Sequence, residues 1–273
     1  MAFIQGASRC QIEITEDDLV RKTAPDPVYS VRLRQQIKKQ RGFVRQNRLD
    51  FCLAPEVTAE RVVGNDVYQA EMKYINGLDF IEFVKHASRD ELERTARQIA
   101  RIIEQNIEAS PTTLVPHAVL REKVESIRAK CDSPVLSHFD RFPAADLTLP
   151  VGVCHGDLTL SNVLFCHNGI ALIDFLDNFV ETPLQDMVKV RQDTCYAWSC
   201  QLYRHEYDKV RTLLALKYLD RRCDELFSRH PFYARHYPIF QFVNLARVLP
   251  YCETPQLRAY VESCIQELVR SHV

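Results

Sequence analysis

The feature that most constrains the fold is an ordered set of polar residues around two short apolar runs, CHGDLTLSNVLFCHNGIALIDFLDN at residues 154–178. The runs Val163–Phe165 and Ile170–Ile173 are bounded by turn-forming residues, which predicts two strands joined by a turn at His167–Gly169. A hairpin of this kind brings the residues before its first strand and the residues after its second strand to the same end.

Three polar residues flank this predicted hairpin: Asp157 and Asn162 precede its first strand, and Asp174 follows its second. Each alone is usually a turn residue, but turn chemistry does not require the joint spacing H-x-D-x-x-x-x-N, strand, turn, strand, I-D-F. Mg²⁺ prefers oxygen ligands and takes only one or two carboxylates when phosphates and waters supply the rest. Asn162 and Asp174 are therefore candidate magnesium ligands, and Asp157 is a candidate base for an attacking hydroxyl. His155 is interpreted as structural, and Asp177 is left without a role.

The segment before residue 75 is predicted to be rich in strands. A hairpin is expected within residues 3–14, a strand carrying Lys22 within 18–24, and two strands joined at Gly64–Asp66. Between the first strands and the last pair, residues 29–49 have a helical pattern. This helix carries seven basic residues and no acid between residues 28 and 48. Such a run predicts either a solvated helix face or a surface that meets phosphate or another anion.

After residue 76 helices dominate. Ser88 and Glu91 fit a capping box, and the apolar stripe behind them predicts a helix that ends near Pro111. A further helix is expected over residues 117–139, a strand over Val151–Cys154, and helices interrupted by prolines from residue 184 onward. The pattern predicts an α+β fold with a small strand-rich N-terminal lobe, residues 1–75, and a larger helical C-terminal lobe, residues 76–273.

Composition excludes several function classes. A formal net charge of −1 is not that of a polycation built for nucleic acid, and no apolar run is long enough to span a membrane. Ten cysteines are scattered without a CxxC pair, which favours reduced thiols over disulfides or a zinc site. With no signal-peptide pattern at the N-terminus, the expected location is cytoplasmic.

The motifs HGDLTLSNVLF at 155–165 and IALIDFLD at 170–177 resemble the catalytic loop and metal-binding segment of the aminoglycoside phosphotransferase and choline kinase superfamily, relatives of protein kinases. The resemblance implies a two-lobed protein-kinase-like fold that uses ATP and Mg²⁺. It implies that Asp157 is the base, that Asn162 and Asp174 bind the metal, and that Lys22 reaches the ATP phosphates. H-G-D in place of H-R-D, and a residue other than glycine after Asp174-Phe175, are typical of the small-molecule branch.

Elsewhere the resemblance is positional. It places Met72 at the back of an adenine pocket, and the backbone of Lys73 and Ile75 in hydrogen bonds with the base. Gly6 and Ser8 lie where the family has its phosphate-covering loop. The glycine-rich pattern itself is poor, since Gly6 alone precedes the first helix.

One departure concerns the helix after Lys22. Protein kinases pair the strand lysine with a glutamate on that helix, whereas this helix offers only glutamines, at positions 35, 36 and 40. Lys22 is then expected to find another acid, such as Glu56 or Asp174, or to bind phosphate more loosely. This departure suggests an alternative function, a nucleotide-binding regulator without catalysis. A protein kinase is a third alternative, disfavoured by H-G-D and by the short span between Asp174 and the next helix.

The acceptor leaves a faint signal. Basic and acidic residues nearly balance from residue 151 onward, which disfavours polycationic aminoglycosides. A choline-type acceptor would need an aromatic cage, for which Tyr196, Trp198 and Tyr203 are candidates that could equally form core. Asp186, Lys189 and Asp193 share a predicted helix face, either as an ion network or as hydroxyl-binding groups, with Arg191 or Arg204 available to an anion. We expect a small-molecule hydroxyl acceptor: a sugar, a polyol or an amino alcohol.

Overall fold

The computed structural model describes residues 3–5, 10–203 and 205–273. The chain forms two compact units. The first comprises the described residues of Met1–Phe83 together with His155–Asn178, and the second comprises Val84–Cys154 with Phe179–Val273. The first unit thus includes residues 155–178, which contain the predicted hairpin. The division predicted from the sequence, residues 1–75 and 76–273, assigns this hairpin to the second lobe, and that division remains a prediction.

The first unit is built on an antiparallel sheet of five strands in the order β1-β2-β3-β6-β5. One helix, α1, packs against β6, and a buried core forms between them from Leu33, Ile37, Ala70 and Met72. The elements of this part of the chain are β1 Phe3–Gln5, β2 Gln11–Ile14, β3 Leu19–Thr23, α1 Pro27–Gln46, β4 Cys52–Leu53, β5 Val57–Val63, β6 Val67–Lys73 and α2 Phe80–His86.

The start of α1 follows from its sequence. Asp26 is the N-cap, and its carboxylate accepts a hydrogen bond from the backbone N–H of Tyr29 at 2.7 Å. Pro27 occupies the first turn, where a missing N–H costs nothing. The helix therefore begins two residues before the predicted start, and it ends at Gln46, three residues before the predicted end.

The predicted hairpin is confirmed. β9 Val163–Cys166 and β10 Gly169–Leu172 pair antiparallel, and β4 joins them in parallel on the other side of β10. Gly169 has φ +149°, and a Cβ at this position would overlap the carbonyl oxygen of Phe51. A glycine is needed where the turn into β10 approaches the chain leading into β4 so closely.

The second unit is mainly helical. Its buried hydrophobic residues include Ile99, Leu219, Phe240 and Val243, which lie on three of its helices. The predicted capping box at Ser88 is confirmed, with both reciprocal hydrogen bonds present. The elements are α3 Arg89–Glu108, β7 Thr112–Val115, α4 His117–Arg128, β8 Leu147–Pro150, α5 Pro183–Thr194, α6 Trp198–Leu202, α7 Lys209–Phe227, α8 Pro231–Ala246 and α9 Pro255–His272.

Three local predictions are wrong. The strand expected at Val151–Cys154 lies earlier, as β8, because Gly152 at φ +157° follows the strand and its Cβ would crowd Ser110. The helix expected over 117–139 ends at Arg128, since Pro134 restarts the chain as a 3-10 helix over Pro134–Arg141. Pro238 does not interrupt the helical pattern but lies inside α8.

The predicted α+β fold class is confirmed: the strands of the main sheet lie in the N-terminal region and the helices dominate the C-terminal region. Among the described residues, no helix combines the length and the apolar character that crossing a bilayer would require.

Candidate active site

The hairpin brings the candidate base and one candidate metal ligand into contact. The side-chain amide of Asn162 donates to the backbone oxygen of Asp157 at 2.8 Å and to its carboxylate at 3.0 Å. On the other side, the backbone N–H of Ile173 donates to the carbonyl of Asn162 at 3.0 Å, next to Asp174. The loop before β9 and the end of β10 therefore meet, as the spacing predicts.

These bonds orient the Asn162 amide. Its nitrogen donates to the oxygens of Asp157, so its oxygen is the atom that these bonds do not use. An amide oxygen is a group that Mg²⁺ accepts. Among the described residues, no cluster of three or more His, Cys, Asp and Glu side chains is arranged to hold a metal by itself. A magnesium ion here would rely on one or two protein oxygens and on ligands supplied by a nucleotide.

Asp174 lies just beyond β10 in a left-handed backbone conformation, with φ +61°. Aspartate adopts this region more readily than most residues other than glycine, and Asp18 and Asp66 adopt it between strands of the same unit. The carboxylate of Asp174 is about half exposed and lies 2.7 Å from the ammonium of Lys22. A carboxylate that is open on one side can receive a further cation.

Lys22 lies in β3, paired with β2 and β6, and is buried at 7 % exposure. Burial by itself lowers the pKa of this lysine, but the charge and hydrogen bond of Asp174 outweigh burial, so the pKa is raised. Of the two acids that the sequence offers as partners, Asp174 makes the contact. Glu56 pairs instead with Lys73 at 2.6 Å.

His155 is fully buried, and its ring joins the two motifs. Its Nε2–H donates to the carbonyl of Ile173 at 2.9 Å, while the backbone N–H of Asp157 donates to Nδ1 at 3.2 Å. The ring also packs on Phe175, with centroids 4.3 Å apart. Burial lowers the pKa of His155 to about 4, so the ring is neutral at pH 7. This geometry matches a structural histidine that donates to backbone near the loop.

Two cations from α1 reach the segment after Asp174, and sequence reasoning did not single them out. The ammonium of Lys39 donates to the carbonyl of Leu176 at 2.5 Å, and Arg32 lies 3.6 Å from the carboxylate of Asp177. The signal for them was the acid-free basic run of this helix, one interpretation of which was an anion-facing surface. Asp177, which had no predicted role, is thus an ion-pair partner of α1.

The predicted nucleotide-binding positions lie at the end of β6. Met72 is buried against α1, where its sulfur accepts a hydrogen bond from Gln40. The backbone N–H of Lys73 donates to the backbone carbonyl of Glu56 at 2.9 Å. An adenine that contacts Lys73 would therefore use the backbone carbonyl of this residue and not its N–H. Ile75 follows in the segment between β6 and α2. Gly6 and Ser8 lie outside the described residues, and the roles of all five remain predictions.

The polar residues of α5 have protein partners. Asp186 is fully buried and accepts from Asn106 at 3.4 Å, and Asp193 accepts from both the backbone N–H and the hydroxyl of Ser199. Arg191 is buried in an ion pair with Asp220. These contacts favour a structural role for this face over the recognition of an acceptor. Arg204 lies outside the described residues.

The fold is similar to solved structures of small-molecule kinases. A thermostable mutant of the aminoglycoside phosphotransferase APH(4)-Ia has a TM-score of 0.64 at 13% identity, with 99% of this chain and 94% of that chain covered. The APH(2")-IIa structure, solved as a ternary complex with streptomycin and ATP, has a TM-score of 0.60 at 16% identity, with 100% and 93% covered. A choline/ethanolamine kinase family protein from Mesorhizobium loti has a TM-score of 0.52 at 13% identity, with 98% and 87% covered. At these identities the likeness concerns the fold, and it confirms the predicted kinase-like class.

Sequence comparison adds the family. No curated protein matches the chain significantly. Residues 9–213, three quarters of the chain, match the model described as the phosphotransferase enzyme family, APH. This range includes Lys22, both motifs of the hairpin and α5. The chain belongs to the phosphotransferase enzyme family.

Proposed function

We propose that this protein transfers the γ-phosphoryl group of ATP to a hydroxyl group of a small molecule, with Mg²⁺ as the metal. The observation that carries the proposal is a pair of side-chain contacts within the first unit: Lys22 donates to Asp174, and Asn162 donates to Asp157. Phosphoryl transfer needs little covalent chemistry from a protein beyond positioning, a base and compensation of charge. These four groups supply each of those functions.

In this proposal Asp157 accepts the proton of the acceptor hydroxyl. Its carboxylate accepts a hydrogen bond from the Asn162 amide, which fixes its orientation toward a bound hydroxyl. Asn162 and Asp174 would hold Mg²⁺, which when bound neutralises charge on the phosphates. Lys22 adds a buried positive charge beside Asp174, where it can also meet phosphate oxygens.

ATP as the donor is supported by similar structures. The APH(2")-IIa structure contains ATP, and a complex of APH(4)-Ia contains AMP-PNP with hygromycin B. For this chain we propose that Met72, Lys73 and Ile75 contact the adenine, and that Gly6 and Ser8 cover the phosphates. A division into an N-terminal nucleotide lobe, residues 1–75, and a C-terminal substrate lobe, residues 76–273, is part of the proposal.

The proposed acceptor is a sugar, a polyol or an amino alcohol. The ligands of the similar enzymes, streptomycin, gentamicin and hygromycin B, belong to those enzymes. In this chain basic and acidic residues nearly balance after residue 151, and the acids of α5 are buried on protein partners. That balance argues against a polycationic acceptor. Neither nucleic acid nor a membrane is proposed as a partner.

A reducing compartment, the cytoplasm, is the proposed location. All ten cysteines lie in the described part of the chain and are free thiols, several of them buried in the cores of the two units. Free thiols in such number are typical of proteins that work where disulfides are kept reduced.

The test is transfer of labelled phosphate from ATP to a panel of sugars, polyols, amino alcohols and aminoglycosides. The wild-type protein should label at least one hydroxyl compound in the presence of Mg²⁺. Asp157→Ala should lose this transfer while binding ATP with near-normal affinity, because Asp157 is not a proposed ligand of the nucleotide. Transfer that persists in Asp157→Ala would exclude this aspartate as the base.

A second candidate function is a nucleotide-binding regulator without catalysis. The observation that favours it is Gln36, a buried neutral residue on the helix where protein kinases carry the glutamate that pairs with lysine. A magnesium-dependent thermal shift with ATP, without loss of γ-phosphate on a metabolite extract or a protein extract, would support this candidate. Labelling in the protein extract alone would instead support a protein kinase.

A further inference from the structure

Helix α1 presents three polar residues on one face: Arg32, Gln36 and Lys39. Their spacing of four and three residues places them in consecutive turns of the same side. Two of them, Arg32 and Lys39, contact the stretch that follows the candidate metal ligand, residues 174–178. We call this stretch the Asp174 segment.

The contact made by Lys39 requires a glycine at position 156, in the loop before β9. The ammonium of Lys39 donates to the Leu176 carbonyl, and a Cβ added to Gly156 would lie 2.9 Å from that ammonium. The same Cβ would overlap the Leu176 oxygen, and Gly156 has φ +90°. Only glycine therefore leaves room for the ammonium between the loop and the Asp174 segment.

Further bonds join the same two stretches. The backbone N–H of Leu176 donates to the His155 carbonyl at 3.0 Å, and the side-chain amide of Asn178 donates to the Gly156 carbonyl at 2.8 Å. Residues 155–156 and the Asp174 segment are thus already joined by hydrogen bonds. Because Lys39 binds the Leu176 carbonyl at this point, it links both of these stretches to α1.

The contact through Arg32 lies at Asp177. The two side chains are 43% and 46% exposed, but the atoms that approach to 3.6 Å, Nε and Oδ1, are both buried, and neither has a hydrogen-bond partner among the described residues, so their contact is an ion pair without a hydrogen bond. The pair is therefore shielded where the charges meet, which strengthens it relative to a fully exposed ion pair.

Between these cations lies Gln36, which is 5% exposed and whose amide nitrogen has no partner among the described residues. A carboxylate at this position would be four residues from Arg32 and three from Lys39. Side chains at those separations are neighbours on a helix, and opposite charges there attract one another. A glutamate would draw both cations toward itself, away from the Asp174 segment.

We propose that α1 positions the Asp174 segment with cations: Lys39 holds Leu176, Arg32 holds Asp177, and Gln36 is neutral so that both cations remain on the segment. The three are positioning residues, which act on Asp174 through its neighbours. Lys22 pairs directly with Asp174, so it does not need an acid from α1. The consequence for magnesium rests on the proposed function; the consequence for the order of the segment does not.

Gln36→Glu tests the proposal because it changes charge and leaves shape nearly constant. Backbone amides of residues 173–178 should exchange hydrogen faster than in the wild type, and the Mg²⁺ concentration needed for half-maximal transfer should rise about tenfold, as for loss of a group that orients a metal ligand. Gln266→Glu is the matched control, because Gln266 is exposed on α9 in the second unit. This control should leave both measurements unchanged.

Lys39→Met removes the ammonium and keeps most of the apolar stem. It should produce the same faster exchange of residues 173–178 and the same higher Mg²⁺ requirement, and Lys39→Arg should restore both at least in part. Binding of ATP without metal should change little in either variant. A general loss of stability would instead raise exchange throughout the first unit and weaken ATP binding with and without Mg²⁺.

The two hypotheses fail separately. A wild-type protein that neither binds Mg²⁺–ATP nor transfers phosphate refutes the proposed function, and hydrogen exchange still decides the role of α1. Unchanged exchange of residues 173–178 in both Gln36→Glu and Lys39→Met overturns the role of α1. A lower Mg²⁺ requirement in Gln36→Glu also overturns it, because that result would show that a glutamate on α1 serves this site better.

Discussion

The segment 154–178, which contains the hairpin of β9 and β10, and helix α5 both carry closely spaced acids, but these acids differ in exposure and in their partners. Asp174 is about half exposed, lies at φ +61° and, within the described part of the chain, forms an ion pair with Lys22 alone. Asp193 is buried at 1% exposure, in ordinary helical geometry, and accepts two hydrogen bonds from Ser199. The carboxylate of Asp174 is therefore accessible to a further cation, whereas the carboxylate of Asp193 is buried in hydrogen bonds within the protein.

The comparison teaches that polar spacing alone does not separate a site from a scaffold. Asp186, Lys189 and Asp193 recur at helical spacing and were as regular in sequence as the hairpin motif. The difference lies in what each carboxylate meets after folding. A buried acid must be paired or it is destabilising, so burial on α5 commits those acids to structure. The carboxylate of Asp174 is instead about half exposed, so it can meet a further group.

The largest expected effect concerns Asp174. Asp174→Asn keeps the size of the side chain and removes its charge, so it should abolish the stabilisation by Mg²⁺–ATP in thermal unfolding. If Asp174 is the proposed metal ligand, phosphate transfer should fall by at least about 100-fold, since a metal ligand matters more than the residues that orient it. The controls are ATP without metal, and Asp193→Asn, which should retain transfer if α5 is scaffold.

Next in size is the stability effect of Asp193. Asp193→Ala removes the acceptor of two part-buried hydrogen bonds, from the backbone N–H and the hydroxyl of Ser199, which costs roughly 2 kcal/mol in the free energy of unfolding. Urea unfolding would measure this loss, and transfer per folded molecule should be unchanged. Reduced transfer without reduced stability would reverse the comparison and make α5 part of the site.

A comparable effect comes from pH and His155. Its pKa is about 4 in the folded protein and 6.5 when unperturbed, so only the unfolded chain takes up the proton between those values. Stability is therefore lost as pH falls from about 6.5 toward 4, by about 2 kcal/mol between pH 7 and pH 5 at 1.36 kcal/mol per pH unit. Urea unfolding of the wild type and of His155→Gln at both pH values isolates this contribution. An equal pH dependence in the two proteins would contradict it.

The smallest expected effect is at the capping box of α3, in the second unit. Ser88→Ala removes the acceptor for the Glu91 backbone N–H and one hydrogen bond to the Glu91 carboxylate. The cost is about 1 kcal/mol of stability with no change in transfer. Thermal unfolding measures it. A larger loss of stability, or any change in the Mg²⁺ requirement, would show that the stability of the second unit is coupled to the proposed metal site in the first.

Much of the hairpin could be predicted from sequence because its determinants are local. The two strands at 163–166 and 169–172 lie within one residue of the predicted runs, and the capping box of Ser88 is present in full. Alternation, turn residues and caps act between near neighbours, so they can be recognised in a single chain.

The rest depends on contacts between distant residues. Sequence allowed Glu56 or Asp174 as the partner of Lys22, and only the fold brings Asp174 across 152 residues. The sequence also left open what the side chains of Arg32 and Lys39 contact, because a basic helix has the same sequence pattern whether its charges face solvent or protein. The strand expected at Val151–Cys154 was wrong because Val and Cys are apolar in any setting, and the backbone turn at Gly152 decides where β8 ends.

The short strand β4 has a consequence for the order in which the protein is made. It pairs in parallel with β10 through Cys52 with Ile170 and Leu53 with Ala171, so the first unit is completed by residues more than a hundred positions later. A chain emerging from the ribosome can close the main sheet early, but it cannot form the sheet that leads into Asp174 until residues 84–154 of the second unit have been synthesised. Nascent chains that end before this hairpin should therefore lack the proposed metal site, however well their N-terminal strands have folded.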